Sequence, residues 1–287
     1  MFEMLVEPLQ YEYMRNALYA SALVGTVCAF LSAFLVLKGW SLIGDALSHA
    51  VVPGVAGAYI LGLPFSVGAF FSGFLAAGAI LFVKQVSSLR EDAIIGFVFT
   101  TFFSAGILMI SLYPTSINIE SVILGNILML GDSELFQIFL IGLVSMVLLG
   151  LFWKDLALTF FDENQAASVG ISTNKLKILF FALLSASTVA SLQAVGAVLV
   201  IALVIIPGAT AYQLTDRFGK MIVISCVIGG TTSLAGAYLS YFLDGVTGGV
   251  IVLLQALVFF SVLALAPKYG LLRQFKVRLL SKEQSHA

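Results

Sequence analysis

KGWSLIGDALSHAVVPGVAGAYILGLP, residues 38–64, holds behind Lys38 an apolar run, near 42–61, in which one acid, Asp45, and one histidine, His49, stand out. A stretch of about 20 such residues is long enough to cross a bilayer as a helix. An ionised carboxylate near the middle of that helix costs on the order of 2.5–3.5 kcal/mol, so its presence calls for a reason. Similar runs recur on both sides, near 16–37, 64–83, 94–113, 134–153, 178–193, 195–212, 220–243 and 249–266. KQVSSLRED, WKDLALTFFDENQAASVGISTNKLK and QLTDRFGK are the polar breaks between them. Over the 287 residues 60% are hydrophobic and 10% charged, with a mean hydropathy of +1.08. A soluble domain has roughly a quarter of its residues charged, so the bilayer is the solvent here. The reading is an all-α fold: a polytopic integral membrane helical bundle forming a single domain over 1–287.

About nine crossings are expected, with eight to ten compatible with the pattern. Only SLQAVG marks a turn within 178–212, and the first 15 residues, with Glu3, Glu7 and Glu12 among Met, Leu and Tyr, fit an interfacial segment. The first apolar run has acidic flanks and no small-residue cleavage pattern, so it is expected to stay in the membrane. Of the 14 Lys and Arg residues, all but Arg15 fall on one side if the N-terminus is outside. That split is the positive-inside signature, and it predicts a cytoplasmic C-terminus with the tail KYGLLRQFKVRLLSKEQSHA. The net charge of −1 says nothing about partners, and no nucleic-acid partner is expected. Cys28 and Cys226 lie within predicted spans and read as small buried residues.

The acids other than Asp45 fall in or beside loops, where water can reach them. Asp45 and His49 stand four apart, on one face of a helix, close enough to share an ion. The other histidine, His286, is in the tail. Carboxylate plus imidazole suits manganese, iron or zinc, and the lack of thiolates argues against copper(I). Two ligands do not complete a coordination sphere. A second copy across a two-fold axis, water, Ser48, or carbonyls freed near Pro53-Gly54 would have to help. The bland alternative is that the pair only hydrogen-bonds within the bundle.

The cytoplasmic loop at about 154–177 contains DENQAASVG, residues 162–170, which has the marks of a short helix. Asp162 can cap it, Gln165 stands three residues on, and Gly170 suits the left-handed position after the last turn. So short a helix has little stability alone, which points to docking on something. In AVGAVLVIALVIIPGATAYQL, residues 194–214, Pro207 predicts a kink or an end near 203–207, a candidate gate alongside Pro53. No phosphate loop, H-E-x-x-H or G-x-S-x-G is present, so the chain is expected not to be an enzyme.

KGWSLIGDALSHAVVPGVAGAYILGLP, FFDENQAASVGIS and VGAVLVIALVIIPGATA, in this order, resemble the membrane permease subunits of bacterial ABC importers for manganese, zinc and iron. GDALSHAVVPG looks closer to the manganese/iron branch than to the zinc permeases. The resemblance implies that Asp45 and His49 contact the metal inside the membrane. It also implies that the helix 163–169 is a coupling helix seated on an ATPase, with Glu163, Ala166, Ala167 and Gly170 matching its pattern. A bulky charge at Ala166 or Ala167 is then expected to release that ATPase. The implied assembly is a homodimer of permease chains, two ATP-binding subunits and an extracytoplasmic metal-binding protein, in the bacterial cytoplasmic membrane. No permanently bound cofactor is implied, since the divalent metal is cargo. The rival reading is a stand-alone secondary transporter or channel for divalent cations. It predicts further intramembrane acids and an internal repeat of the site, and neither is visible.

Overall fold

The computed structural model describes residues 2–40, 42–113 and 130–266. Within them the chain forms α1 (Phe2–Gln10), α2 (Glu12–Lys38), α3 (Leu42–Ala50), α4 (Val52–Leu61), α5 (Phe65–Val86) and α6 (Glu91–Leu112). It continues with α7 (Asp132–Phe161), α8 (Glu163–Ser168), α9 (Thr173–Val195), α10 (Ala197–Leu214), α11 (Phe218–Leu243) and α12 (Thr247–Leu265). Seven of these, α2, α5, α6, α7, α9, α11 and α12, are long and apolar enough to cross a bilayer. With the α3–α4 pair and the shorter α10, the described residues make the nine passes that the apolar runs predict. The tail 267–287, with His286, and the segment around Glu120 lie outside the described residues.

The second pass is not one helix. It breaks at Val51, between α3 and α4. Pro53 has no N–H for the carbonyl of His49, and its ring disfavours a continuous helix through that turn. At the second position of α4 the same proline is tolerated, because the first amides of a helix have no partner within it. Pro207 behaves differently. α10 runs through it to Leu214, so no end falls near 203–207. The Ser32 hydroxyl of α2 inserts there, accepting from Gly208 N at 3.0 Å and donating to Ile205 O at 3.1 Å. The turn within 178–212 is one residue long. Gly196 has φ 80° and ψ 165°, a conformation open essentially to glycine alone, and it reverses α9 into α10.

α2 is central, packing most extensively on α11 and α10, and Ser225 Oγ of α11 donates to Ala29 O at 2.6 Å. One end of the bundle is knit by basic residues and aromatic rings. Lys38 Nζ donates to Phe160 O at 3.1 Å, Lys84 pairs with Glu91, and Lys177 pairs with Glu163 at 2.5 Å. Beneath them Phe34 meets Phe218 at 4.9 Å between ring centroids, and Phe160 meets Phe180 at 4.8 Å. α7 extends through Phe161 into the stretch assigned to the loop, because Leu156, Thr159 and Phe160 are buried in this cluster. The irregular part of the connection is correspondingly shorter.

Candidate functional site

α3 presents Asp45 and His49 one turn apart, with His49 Nε2 3.4 Å from Asp45 Oδ1. Their side chains are 40% and 29% exposed, so the pair opens outward from the chain. The other faces of α3 are enclosed: Ile43, Ala46, Leu47 and Ala50 are buried, and a Cβ on Gly44 would come within 3.0 Å of Val204 on α10. Ser48 is buried and donates to Gly44 O at 2.8 Å, which commits its proton to its own helix. The imidazole of His49 stands nearly perpendicular to two rings of α6, Phe99 at 5.3 Å and Phe103 at 5.4 Å. Edge-to-face packing of this kind fixes the ring plane. Among the described residues no group of three or more His, Cys, Asp and Glu gathers to hold a metal ion. Among the described residues Asp45 and His49 thus stand as a pair, with no third such side chain beside them.

The break beside the pair is supported from two helices. Ser72 Oγ on α5 donates to Ala50 O at 2.6 Å, satisfying a carbonyl at the interrupted turn. α4 and α5 meet at Gly54 and Gly68, where a Cβ on either would fall about 2 Å from the other's carbonyl oxygen. Gly106 of α6 lies close on Val52 and Pro53, where a Cβ would fall 2.7–3.0 Å from their atoms. Pro53 is thus clamped between α5 and α6, close to the metal-ligating candidates.

α8 is capped at both ends. Asp162 Oδ1 accepts from Gln165 N at 3.0 Å. Gly170 N donates to Ala167 O and Ile171 N to Ala166 O, both at 3.0 Å, with Gly170 at φ 89°. These are the two bonds of a Schellman motif. The Glu163 carboxylate takes the Lys177 ammonium at 2.5 Å and the Thr173 hydroxyl at 3.4 Å. Lys177, hydrogen-bonded to it, holds the Glu163 carboxyl below the usual range. Ala166 is fully buried toward the bundle, whereas Ala167 and Val169 are exposed. The helix is therefore held at both ends, with Ala166 turned in and its other residues exposed.

Residues 10–266 match the description "ABC 3 transport family". The chain belongs to that family. It is 60% identical over 280 residues to "Chelated iron transport system membrane protein YfeC" of Yersinia pestis, covering 97% of this chain and 95% of that one. It is 43% identical over 270 residues to "Manganese transport system membrane protein MntB" of Synechocystis, covering 94% and 88%. Among solved structures, "PsaBC from Streptococcus pneumoniae in complex with Fab" superposes with a TM-score of 0.84 at 35% identity, covering 97% of this chain and all of that one.

Sequence reasoning about this ABC 3 family member missed the groups that surround its α3. Phe99, Phe103 and Ser72 come from other segments, and nothing in a local pattern ties them to His49; Trp40 lies in the opening stretch itself, where nothing ties its ring to α6. Lys84 and Glu91 flank the short KQVSSLRED break with opposite charge, and that spacing was the one available signal.

Proposed function

We propose that this chain is the membrane permease of an ATP-driven importer of divalent transition-metal ions, manganese or iron foremost and zinc also within its chemistry. The observation that carries this is the Asp45–His49 pair, an acid and an imidazole 3.4 Å apart on the helix of a broken membrane pass, open on one side. A hard oxygen and a borderline nitrogen bind these ions without the tight grip of a thiolate cage, as release requires. Relatives named for iron and manganese transport, aligned over nearly the whole chain, support the cargo class.

A chain of the ABC 3 family is a transport subunit, and this one carries no phosphate loop, so ATP hydrolysis falls to a separate subunit. The capped α8, with Asp162, Glu163, Ala166, Ala167 and Gly170, is the element on which we seat that ATPase. The half-open ligand pair favours a homodimer in which two copies complete the coordination sphere. Two ATPases at the basic end and a metal-binding protein at the other complete the assembly in the bacterial cytoplasmic membrane, N-terminus outside. Alternating access follows if ATP-driven closure of the ATPases moves the coupling helices and so shifts which side the pair faces.

Uptake by the reconstituted transporter, compared across manganese, iron and zinc, tests this reading. Asp45→Ala and His49→Ala should each abolish uptake of the cargo ion while the ATPase still co-purifies. Normal uptake by both variants would sink it.

A further inference from the structure

Trp40 stands at the junction between α2 and α3 and is 5% exposed. Six elements converge on it. Its ring meets Phe160, the penultimate residue of α7, edge-on at 5.7 Å, and stacks on Phe181 of α9 at 5.6 Å. The Lys84 ammonium of α5 lies 5.0 Å from its centroid and Lys38 of α2 lies 6.0 Å away. Its indole N–H donates to Glu91 Oε2 at the start of α6, and the other oxygen of that carboxylate takes Lys84. Its carbonyl accepts from Ile43 N at 3.1 Å, so the residue is also joined to the first turn of α3.

α3 and α6 run in the same direction from this end and pack along one another. They are fastened twice. The Trp40–Glu91 hydrogen bond holds the ends, and His49 against Phe99 and Phe103 holds a level about 12–18 Å further along, from the helical rise. α3 cannot slide or turn against α6 without releasing one fastening. On the other side, Lys38 holds the carbonyl of Phe160, two residues before the Asp162 cap of α8. A displacement of α8 therefore meets Trp40 before it meets anything on α3.

We propose that Trp40 is the positioning residue through which the loop helix α8 acts on the Asp45/His49 helix, with Glu91 as the latch that sets the α3–α6 register. This rests on the reading of the chain as a metal-importing permease. In the latched arrangement seen here, the ends of α3, α5 and α6 are tied around one carboxylate. Movement of α8 is passed through Phe160 to the indole, the latch exchanges or opens, and α3 carries its two ligands with it. The discrete hydrogen bond supplies the two-state element that coupling requires.

The test uses the assembled transporter, permease with its ATPase subunits, in proteoliposomes supplied by the delivering protein, with manganese as the probe ion. Ions imported and ATP hydrolysed are measured together. Trp40→Phe keeps a ring against Phe160 and Phe181 but removes the N–H, and Glu91→Ala removes the acceptor. Both should lower ions imported per ATP about tenfold, with ATPase co-purification unchanged. Glu91→Gln keeps an acceptor for the indole and should stay within about twofold of the parent. Should Trp40→Phe fail to assemble, Glu91→Ala against Glu91→Gln decides. An unchanged ratio in Glu91→Ala, or an equal fall in hydrolysis, uptake and assembly, overturns the proposal. Asp45→Ala is the separate arm. If it and His49→Ala both import manganese normally, the reading of the pair as the metal path has failed; if neither does and the ratio is insensitive to Glu91, only the latch has failed.

Discussion

Ser72 on α5 donates a 2.6 Å hydrogen bond to the main-chain carbonyl of Ala50, the last residue of α3 before the pass breaks. The relationship gives one carbonyl at the break a partner from a neighbouring helix, which hydrocarbon cannot supply. Hydrogen bonds between membrane helices average about 0.6 kcal/mol and reach about 1.7 kcal/mol. Ser72→Ala should accordingly lower stability by about 1 kcal/mol, read as a fall in the detergent melting temperature. Uptake should fall further than stability does, because the freed carbonyl loosens the turn that follows His49. Ser72→Thr, which keeps the hydroxyl, should recover most of both.

His49 is aimed by Phe99 and Phe103. Edge-to-face contacts are worth about 0.5–1.5 kcal/mol each, and a freed ring also has rotamer entropy to lose on binding metal. Phe103→Ala should therefore raise the manganese concentration for half-maximal uptake about threefold to tenfold while the maximal rate changes little. Concentration-dependent uptake in proteoliposomes measures this. A lower maximal rate at unchanged half-saturation would show that the ring serves the movement of α3 instead.

The nine passes were legible because each is a long apolar run, and Pro53 announced its break for a local reason, the missing N–H. Pro207 ended no helix, for a tertiary reason. The hydroxyl that bridges its turn belongs to Ser32, which is remote in sequence. Asp45 and His49 could be read as a pair because both lie on one helix, whereas their aromatic and hydroxyl supports come from α5 and α6. Six residues of α8 are too few for periodicity to separate a buried alanine from an exposed one, so Ala166 and Ala167 looked equivalent in sequence.

Glu163 gives the loop a pH dependence. Its folded-state pKa is lowered, chiefly by the hydrogen bond from Lys177, so the pair's contribution is fully present above the ordinary glutamate range and disappears as pH falls through the lowered value. Hydrogen exchange of the α8 amides should rise on that acid side. Lys177→Met should weaken α8 at neutral pH and abolish the acid-dependent step. Persistence of the same step in Lys177→Met would assign it to another group.

Ala166 and Ala167 separate two ways of disabling α8. Ala166 has no exposed surface and Ile171 N closes the Schellman motif on its carbonyl, so Ala166→Glu forces a charge into a place that water does not reach. Burying an unpaired carboxylate costs several kcal/mol unless the helix lifts away, so this variant should lose α8 itself. Faster proteolysis or exchange at 162–171 in the permease alone would report that loss. Ala167 projects outward, and Ala167→Glu meets only solvent in the isolated chain. Its melting temperature and loop protection should match the parent's, yet the ATPase should no longer co-purify, because a long charged side chain replaces a methyl where the partner's groove must close. Retained co-purification and full transport in Ala167→Glu would remove α8 as the ATPase seat, whatever Ala166→Glu did.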